Sequence, residues 1–204
     1  MRRPFVGLVM VAVAIACSES NGPTPPPVPT SQLHILLQDA SAPPLLDAVA
    51  SFWAVKGEGR EVRMFYQGAA PGEIGEEFLR FEVPDDGLYR RPDGSLFQVD
   101  DSILITIRIP DPAKFSFEFE PSGLRFNPDK PARLKLKYLL SDHDFDEDGI
   151  AGDADDVEIE ADSIDVWRRQ PPDTVWFRLG ALKLESADEL YAEILHFTDH
   201  AIAW

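Results

Sequence analysis

Apolar and polar residues alternate with a period of two over most of the chain after residue 50. Because successive side chains of a β-strand point to opposite faces of its sheet, this alternation predicts strands with one buried face. A helical period is weak throughout, so the pattern predicts an all-β fold. The clearest strands are EEFLRFEV, SILITIRI, KFSFEFE, ARLKLKYLL, DSIDVWRR, DTVWFRLGALKLE and ELYAEILHFTDHAIAW.

Turn residues separate the predicted strands. Gly57-Glu58-Gly59 predicts a hairpin between the strands on either side, and Pro92-Asp93-Gly94 predicts another turn because Pro fixes φ and Gly accepts positive φ. Many short strands with turn signals about ten residues apart are typical of an antiparallel β-sandwich. We expect the aromatic stripes to form its core, with Phe115, Phe117, Phe119, Trp167 and Trp176.

The beginning of the chain is typical of an exported protein. A pair of arginines precedes an apolar stretch, residues 5–16, that is too short to span a bilayer as a mature helix. This arrangement predicts a secretory signal peptide over residues 1–16. The tetrapeptide that ends this region, Ala14-Ile15-Ala16-Cys17, resembles the lipobox of bacterial lipoproteins. The resemblance implies cleavage before Cys17, lipidation of Cys17 and attachment to a membrane.

Cys17 is the only cysteine of the chain, so it cannot form an internal disulfide. Lipidation explains a free thiol in an exported protein; the alternative is an ordinary signal peptide with an incidental cysteine. Ser18 stands where an aspartate would imply retention in the inner membrane, which favours the outer membrane of the cell envelope, on its periplasmic or surface side. Residues 17–30 are rich in Pro, Ser and Thr, and they predict an extended tether behind the lipid.

Composition limits the number of domains and the class of partner. Of the 204 residues, the part after the tether suffices for one large sandwich or two small domains. Residues 31–95 therefore either extend the sandwich of residues 96–204 or form a small β domain. The formal net charge is −17, which argues against nucleic acid as a partner because phosphate backbones require a basic surface.

The second half of the chain contains a pattern of prolines, glycine and aromatic residues at strand ends. The pattern comprises Ile109-Pro110, Pro121, Gly123, Phe126, the stretch 128–131, Trp176 and His196-Phe197-Thr198. Over residues 96–204 it resembles the ZU-five domain, a β-sandwich of ankyrins, netrin receptors and death-domain adaptors with bacterial relatives in exported lipoproteins. Asp111-Pro112 replaces the usual Gly-Ala pair of that family. The resemblance implies an interaction or structural module, while the eukaryotic partners do not transfer.

The same resemblance raises the question of self-cleavage. Some members of the family cleave their own chain between Phe and Ser, where the hydroxyl attacks the preceding carbonyl with help from a histidine. His196, Phe197 and Thr198 would take these roles, with cleavage before Thr198; alternatively they are packing positions in the last strand. Neither G-x-S-x-G nor H-E-x-x-H occurs in the sequence, so we expect a protein that is not an enzyme.

An acidic loop, residues 142–156, contains the pattern D-x-D-x-D-G. This spacing opens many calcium loops, because alternate oxygens converge where the glycine allows a sharp turn. It predicts calcium ligands at Asp144, Asp146, Asp148, the Ile150 carbonyl and Asp155, with Asp153 or Asp156 as candidates to complete the shell. We expect no flanking helices and a structural role for the ion; the alternative is a flexible, hydrated loop.

These features predict a membrane-anchored exported lipoprotein that acts as a non-catalytic binding or structural module of the cell envelope. Its partner would be an envelope protein or a glycan. An alternative is a carbohydrate-binding module, which an exposed planar row of Trp or Tyr side chains would distinguish.

Overall fold

The structure is a computed structural model that describes residues 26–70 and 72–204. The predicted signal peptide, Cys17 and most of the predicted tether lie outside the described residues. The described helices are α1 (Ala154–Asp162) and two short 3₁₀ segments, Thr30–Gln32 and Glu185–Ala187. The strands are β1 (Val28–Pro29), β2 (Val49–Val55), β3 (Arg60–Gln67), β4 (Ile74–Val83), β5 (Leu88–Arg90), β6 (Ser102–Arg108), β7 (Ser116–Glu120), β8 (Arg125–Phe126), β9 (Ala132–Lys137), β10 (Asp165–Arg169), β11 (Val175–Arg178), β12 (Leu182–Leu184), β13 (Glu189–Ile194) and β14 (Asp199–Ala203).

Two large antiparallel sheets form the body of the protein. The seven-stranded sheet has the order β1-β11-β10-β14-β7-β6-β2, and the five-stranded sheet has the order β12-β13-β9-β4-β3. Strands β5 and β8 form a small two-stranded sheet beside them. The predicted all-β, antiparallel class is thereby confirmed for the described residues.

The two large sheets share one apolar core. Phe81 of β4 lies 5.2 Å from Phe119 of β7, and Phe78 of β4 lies 5.7 Å from Phe117, measured between ring centroids. These contacts join the five-stranded sheet to the seven-stranded sheet face to face, as in a sandwich. The predicted core aromatics Phe115, Phe117, Phe119, Trp167 and Trp176 are all buried.

Trp167 and Trp176 are buried outside the main core, in a separate small cluster with Leu33, Ala201 and Ala203. Val166 and Ile202, which alternate with these residues along β10 and β14, belong to the main core. The second cluster therefore lies on the opposite face of the seven-stranded sheet, where residues 28–35 cover it.

Each large sheet contains strands from residues 31–95 beside strands from residues 96–204. Strand β2 pairs with β6, and strand β4 lies between β3 and β9. The two parts of the chain therefore contribute to the same two sheets and to the same core.

The predicted hairpin around Gly57-Glu58-Gly59 is wrong. The chain does turn there, with Gly57 at a φ of 99°, but β2 pairs with β6 while β3 pairs with β4 in the other sheet. The turn is a connection between the two sheets. The predicted turn at Pro92-Asp93-Gly94 is present, and the Gly94 N–H donates to the Arg91 carbonyl at 2.9 Å.

The expectation that no helix flanks the acidic loop is also wrong, because α1 begins at Ala154, within the last residues of the loop. The sequence of α1, ADDVEIEAD, gives little sign of a helix because it has almost no apolar face; Asp156 is its single buried residue. Across the described part of the chain, no helix is long and apolar enough to cross a membrane.

Candidate metal centre

The acidic loop is fixed at its beginning by the core. Phe145 is 2% exposed, and its ring lies 5.6 Å from the Trp204 ring and 5.5 Å from the His143 ring. A buried aromatic side chain of this size resists displacement. The acidic residues on either side of Phe145 are therefore held at a defined place at one end of the sandwich.

The loop is fixed at its other end by the first turn of α1. The Asp153 carboxylate accepts hydrogen bonds from the N–H groups of Asp155 at 2.9 Å and Asp156 at 3.2 Å. In return, the Asp156 carboxylate accepts from the Asp153 N–H at 3.3 Å. This reciprocal arrangement is a capping box, which starts the helix at Ala154.

Asp156 connects the helix to the loop. Besides Asp153, its carboxylate accepts from the N–H groups of Phe145, Asp146 and Gly152, the last two at 3.2 and 2.7 Å. Burial raises the pKa of Asp156, but these backbone hydrogen bonds lower it by more, so the pKa lies below its usual value. Asp156 is consequently an ionised carboxylate inside the loop.

Asp144 and Asp146 close the loop around the same point. The Asp144 Oδ2 accepts from the Gly149 N–H at 2.9 Å, and the Asp146 Oδ1 accepts from the Asp148 N–H at 3.1 Å. Gly149 has a φ of 91°, a conformation that favours glycine. The second oxygen of Asp144, Oδ1, is buried and has no hydrogen-bond partner among the described residues.

One carboxylate oxygen from each of Asp144, Asp146 and Asp156 lies within 4.8 Å of the other two. Oxygen ligands of a calcium ion lie about 2.3–2.6 Å from it, so two of them are at most about 5 Å apart. The spacing of the three oxygens fits one calcium ion. The buried, unpaired Asp144 Oδ1 supplies a separate reason for a cation here, because a buried polar atom without a partner is costly.

The electrostatics of the cluster also favour a cation. The Asp148 N–H lowers the pKa of Asp146, but desolvation and the neighbouring carboxylates of Asp148, Asp156 and Asp153 raise it by more. The pKa of Asp146 therefore lies above its usual value, first because of desolvation and then because the ionised carboxylates repel one another. A divalent cation would reverse this repulsion.

Two of the five predicted calcium ligands belong to the cluster. Asp144 and Asp146 do; Asp148 and Asp155 are not part of it. The Ile150 carbonyl stays a prediction. The Asp148 Oδ1 instead accepts from the Ile150 N–H at 2.8 Å. Asp156, predicted only as a candidate to complete the shell, is buried, whereas Asp155 is exposed. The capping box explains this, since it turns the third residue of the helix back toward the loop.

The predicted self-cleavage residues lie between β13 and β14. Phe197 is fully buried, with its ring 5.1 Å from the rings of Phe119 and Phe126. The Phe197 N–H donates to the Leu124 carbonyl at 2.9 Å. These contacts are those of a core position.

The two groups that self-cleavage requires are engaged with other partners. The Thr198 hydroxyl donates to the Asp199 carbonyl at 3.3 Å. The His196 Nε2 lies 3.1 Å from Nη1 of Arg168, and it must accept this hydrogen bond because a guanidinium only donates. The lone pair that would act as a base is therefore occupied.

The exposed aromatic side chains of the described residues are Trp53 and Tyr89. They lie on β2 and β5, which belong to different sheets. A glycan platform needs several such rings in one plane, and these two do not form one.

Comparison with known proteins gives no assignment: no family model, no curated protein and no solved structure matches the chain.

Proposed function

We propose that this chain is a lipid-anchored, non-catalytic binding or structural module of the cell envelope, and that one calcium ion stabilises its sandwich. The observation that carries the calcium part is the convergence of carboxylate oxygens of Asp144, Asp146 and Asp156, together with the buried, unpaired Asp144 Oδ1. The resemblance of residues 14–17 to a lipobox and the tether predicted after them support the anchor. The resemblance to the ZU-five domain supports a module that meets an envelope protein or a glycan.

The ion would have a structural role. Asp144 and Asp146 belong to the loop after β9, while Asp156 belongs to α1, so one cation bound to all three would hold the helix against the loop. Exported proteins meet calcium at about millimolar concentration, which fills sites with affinities of about 10⁻⁴–10⁻³ M.

Calcium binding to the full chain in detergent, measured by titration calorimetry, tests the site. We expect one calcium ion per chain and a loss of affinity of at least about tenfold in Asp146→Asn, since a ligand charge is removed. The matched control is Asp155→Asn, which removes an equal charge from an exposed residue of the same loop and should change the affinity little. Equal losses in both variants would mean that the loop attracts cations without forming a site.

Fractionation of cells that express the chain tests the anchor. We expect the wild-type protein in the membrane fraction and Cys17→Ala in the soluble fraction or as uncleaved precursor, since two or three acyl chains hold a protein firmly in a bilayer. The mass of the mature amino-terminal peptide should include these acyl chains. If the mass of the wild-type peptide does not include acyl chains, the lipid anchor is contradicted and the protein is an ordinary secreted one.

A further inference from the structure

A cavity of about 410 Å³ opens where the small β5–β8 sheet meets the end of β10. Its lining is basic: it includes Arg90, Arg91, Arg125 and His196, together with Gln170 and three residues without charge. The volume lies within the range of about 300–1,000 Å³ that small-molecule sites occupy. A basic cavity is unexpected in a chain with a formal net charge of −17.

Two of the three arginines that line this cavity, Arg90 and Arg125, differ from most other cations of the described residues. Over residues 26–70 and 72–204, every lysine and arginine forms an ion pair with a carboxylate except Arg90, Arg125 and Arg168. Arg90 and Arg125 line the cavity, and Arg168 contacts His196, which also lines it. The lysines and arginines of this part of the chain that lack a carboxylate partner therefore lie in or beside the cavity.

The strand register holds these charges close together. Arg90 of β5 is the direct cross-strand partner of Arg125 of β8, and Arg125 forms a β-bridge with His196. Like charges directly opposite each other in a sheet are destabilising. Burial, and then the charges of Arg168 and Arg125, lower the pKa of His196, which shows the same accumulation of positive charge. A bound anion would relieve it.

A second depression of about 280 Å³ adjoins the basic cavity and shares Arg125 and His196 with it. Its other lining residues are Tyr89, Phe126, Pro128 and Leu195. Tyr89 is 39% exposed and stacks under the Arg90 guanidinium at 4.9 Å. One side of the combined site is therefore basic, and the other side is apolar and aromatic.

We propose that this pocket binds a phosphate group carried on a small molecule whose apolar part occupies the depression beside Tyr89. Arginine presents paired N–H groups that match phosphate oxygens in a bidentate manner. Arg90 and Arg125, the two lining arginines without carboxylate partners, match a group with two negative charges better than a single carboxylate. The site shares no residue with the acidic loop. A failure of calcium binding would therefore not contradict phosphate binding, and the reverse also holds.

The test is calorimetric titration of the full chain in detergent, in calcium-free buffer so that phosphate and calcium do not interact. The probes are phenyl phosphate, inorganic phosphate, benzoate and benzyl alcohol. We expect phenyl phosphate to bind most tightly, inorganic phosphate and benzoate more weakly, and benzyl alcohol not measurably. Equal affinity for inorganic and phenyl phosphate would overturn the role of the apolar depression.

Variants identify the residues. Arg90→Gln and Arg125→Gln should each weaken phenyl phosphate binding about tenfold or more, since each removes a guanidinium that lines the pocket and its charge-assisted hydrogen bonds. Arg125→Lys keeps the positive charge but loses the paired N–H groups of the guanidinium. Its affinity for phenyl phosphate should lie between those of Arg125→Gln and the wild type. The matched control is Arg108→Gln, which removes an exposed arginine paired with Glu118 and should leave binding unchanged. Binding that survives Arg125→Gln, or no binding at millimolar phenyl phosphate, would overturn the proposal.

Discussion

At the scale of single residues, His200 shows how burial sets a protonation state. Its side chain is 1% exposed and lies 5.1 Å from the Phe119 ring. Its Nδ1 donates to the Thr198 carbonyl at 3.0 Å, while burial lowers the pKa of His200 to about 3 from 6.5. The nearby charges of His196 and Arg168 act in the same direction. The folded protein therefore keeps His200 neutral, whereas the unfolded chain protonates it below pH 6.5.

This difference predicts a loss of stability in mild acid. As the pH falls from about 6.5 to 3, the unfolded state binds a proton that the folded state does not. The free energy of unfolding should therefore fall by up to about 1.4 kcal/mol for each pH unit. Urea unfolding at a series of pH values measures the slope. His200→Phe should reduce it, and His34→Phe, at an exposed position, should not; equal slopes in all three proteins would contradict this role of His200.

At the scale of elements, alternation predicted the strands because each buries one face in a sheet. It could not predict which sheet a strand joins. The signal at Gly57-Glu58-Gly59 is a real turn, but it connects β2 and β3 across the sandwich. Helix α1 has no apolar stripe, and its capping box forms within a run of aspartates where several residues are equally suited to the N-cap position.

The candidate sites differ in how far sequence could find them. The D-x-D-x-D-G pattern identifies Asp144 and Asp146, because these ligands lie close together in sequence. Whether Asp156 or Asp155 joins the cluster depends on the residue at which α1 begins. The helix propensities of these residues do not determine that residue. The proposed phosphate pocket has no sequence signal, since Arg90, Arg125 and His196 are far apart in sequence and only the strand register brings them together.

At the scale of the whole molecule, the first described residues bind the chain to its own sandwich. Strand β1 pairs with β11 at the edge of the seven-stranded sheet. Leu33 packs with Trp167 and Trp176 over the outer face of that sheet, and the Trp176 Nε1 donates to the Thr30 hydroxyl at 3.1 Å. A lipid at Cys17 would therefore pull on a segment that is integrated into the fold.

Charge is distributed unevenly over the molecule. The acidic loop gathers carboxylates that lack cationic partners, and the β5–β8 pocket gathers arginines that lack carboxylate partners. Elsewhere in the described chain, each lysine and arginine is ion-paired. The proposed ligands, a calcium ion and a phosphate ester, carry charges opposite in sign to those of the two regions.

The measurement that tests the proposed module most directly is thermal unfolding of the full chain in detergent, with saturating calcium and with chelator. A ligand at 100 times its dissociation constant stabilises the folded state by roughly 2.7 kcal/mol. The midpoint should therefore rise on the order of 2–4 °C or more for a chain of this size, and Asp144→Asn should abolish the rise while Asp155→Asn retains it. An unchanged midpoint at millimolar calcium would contradict a structural calcium ion and leave the acidic loop as a solvated surface.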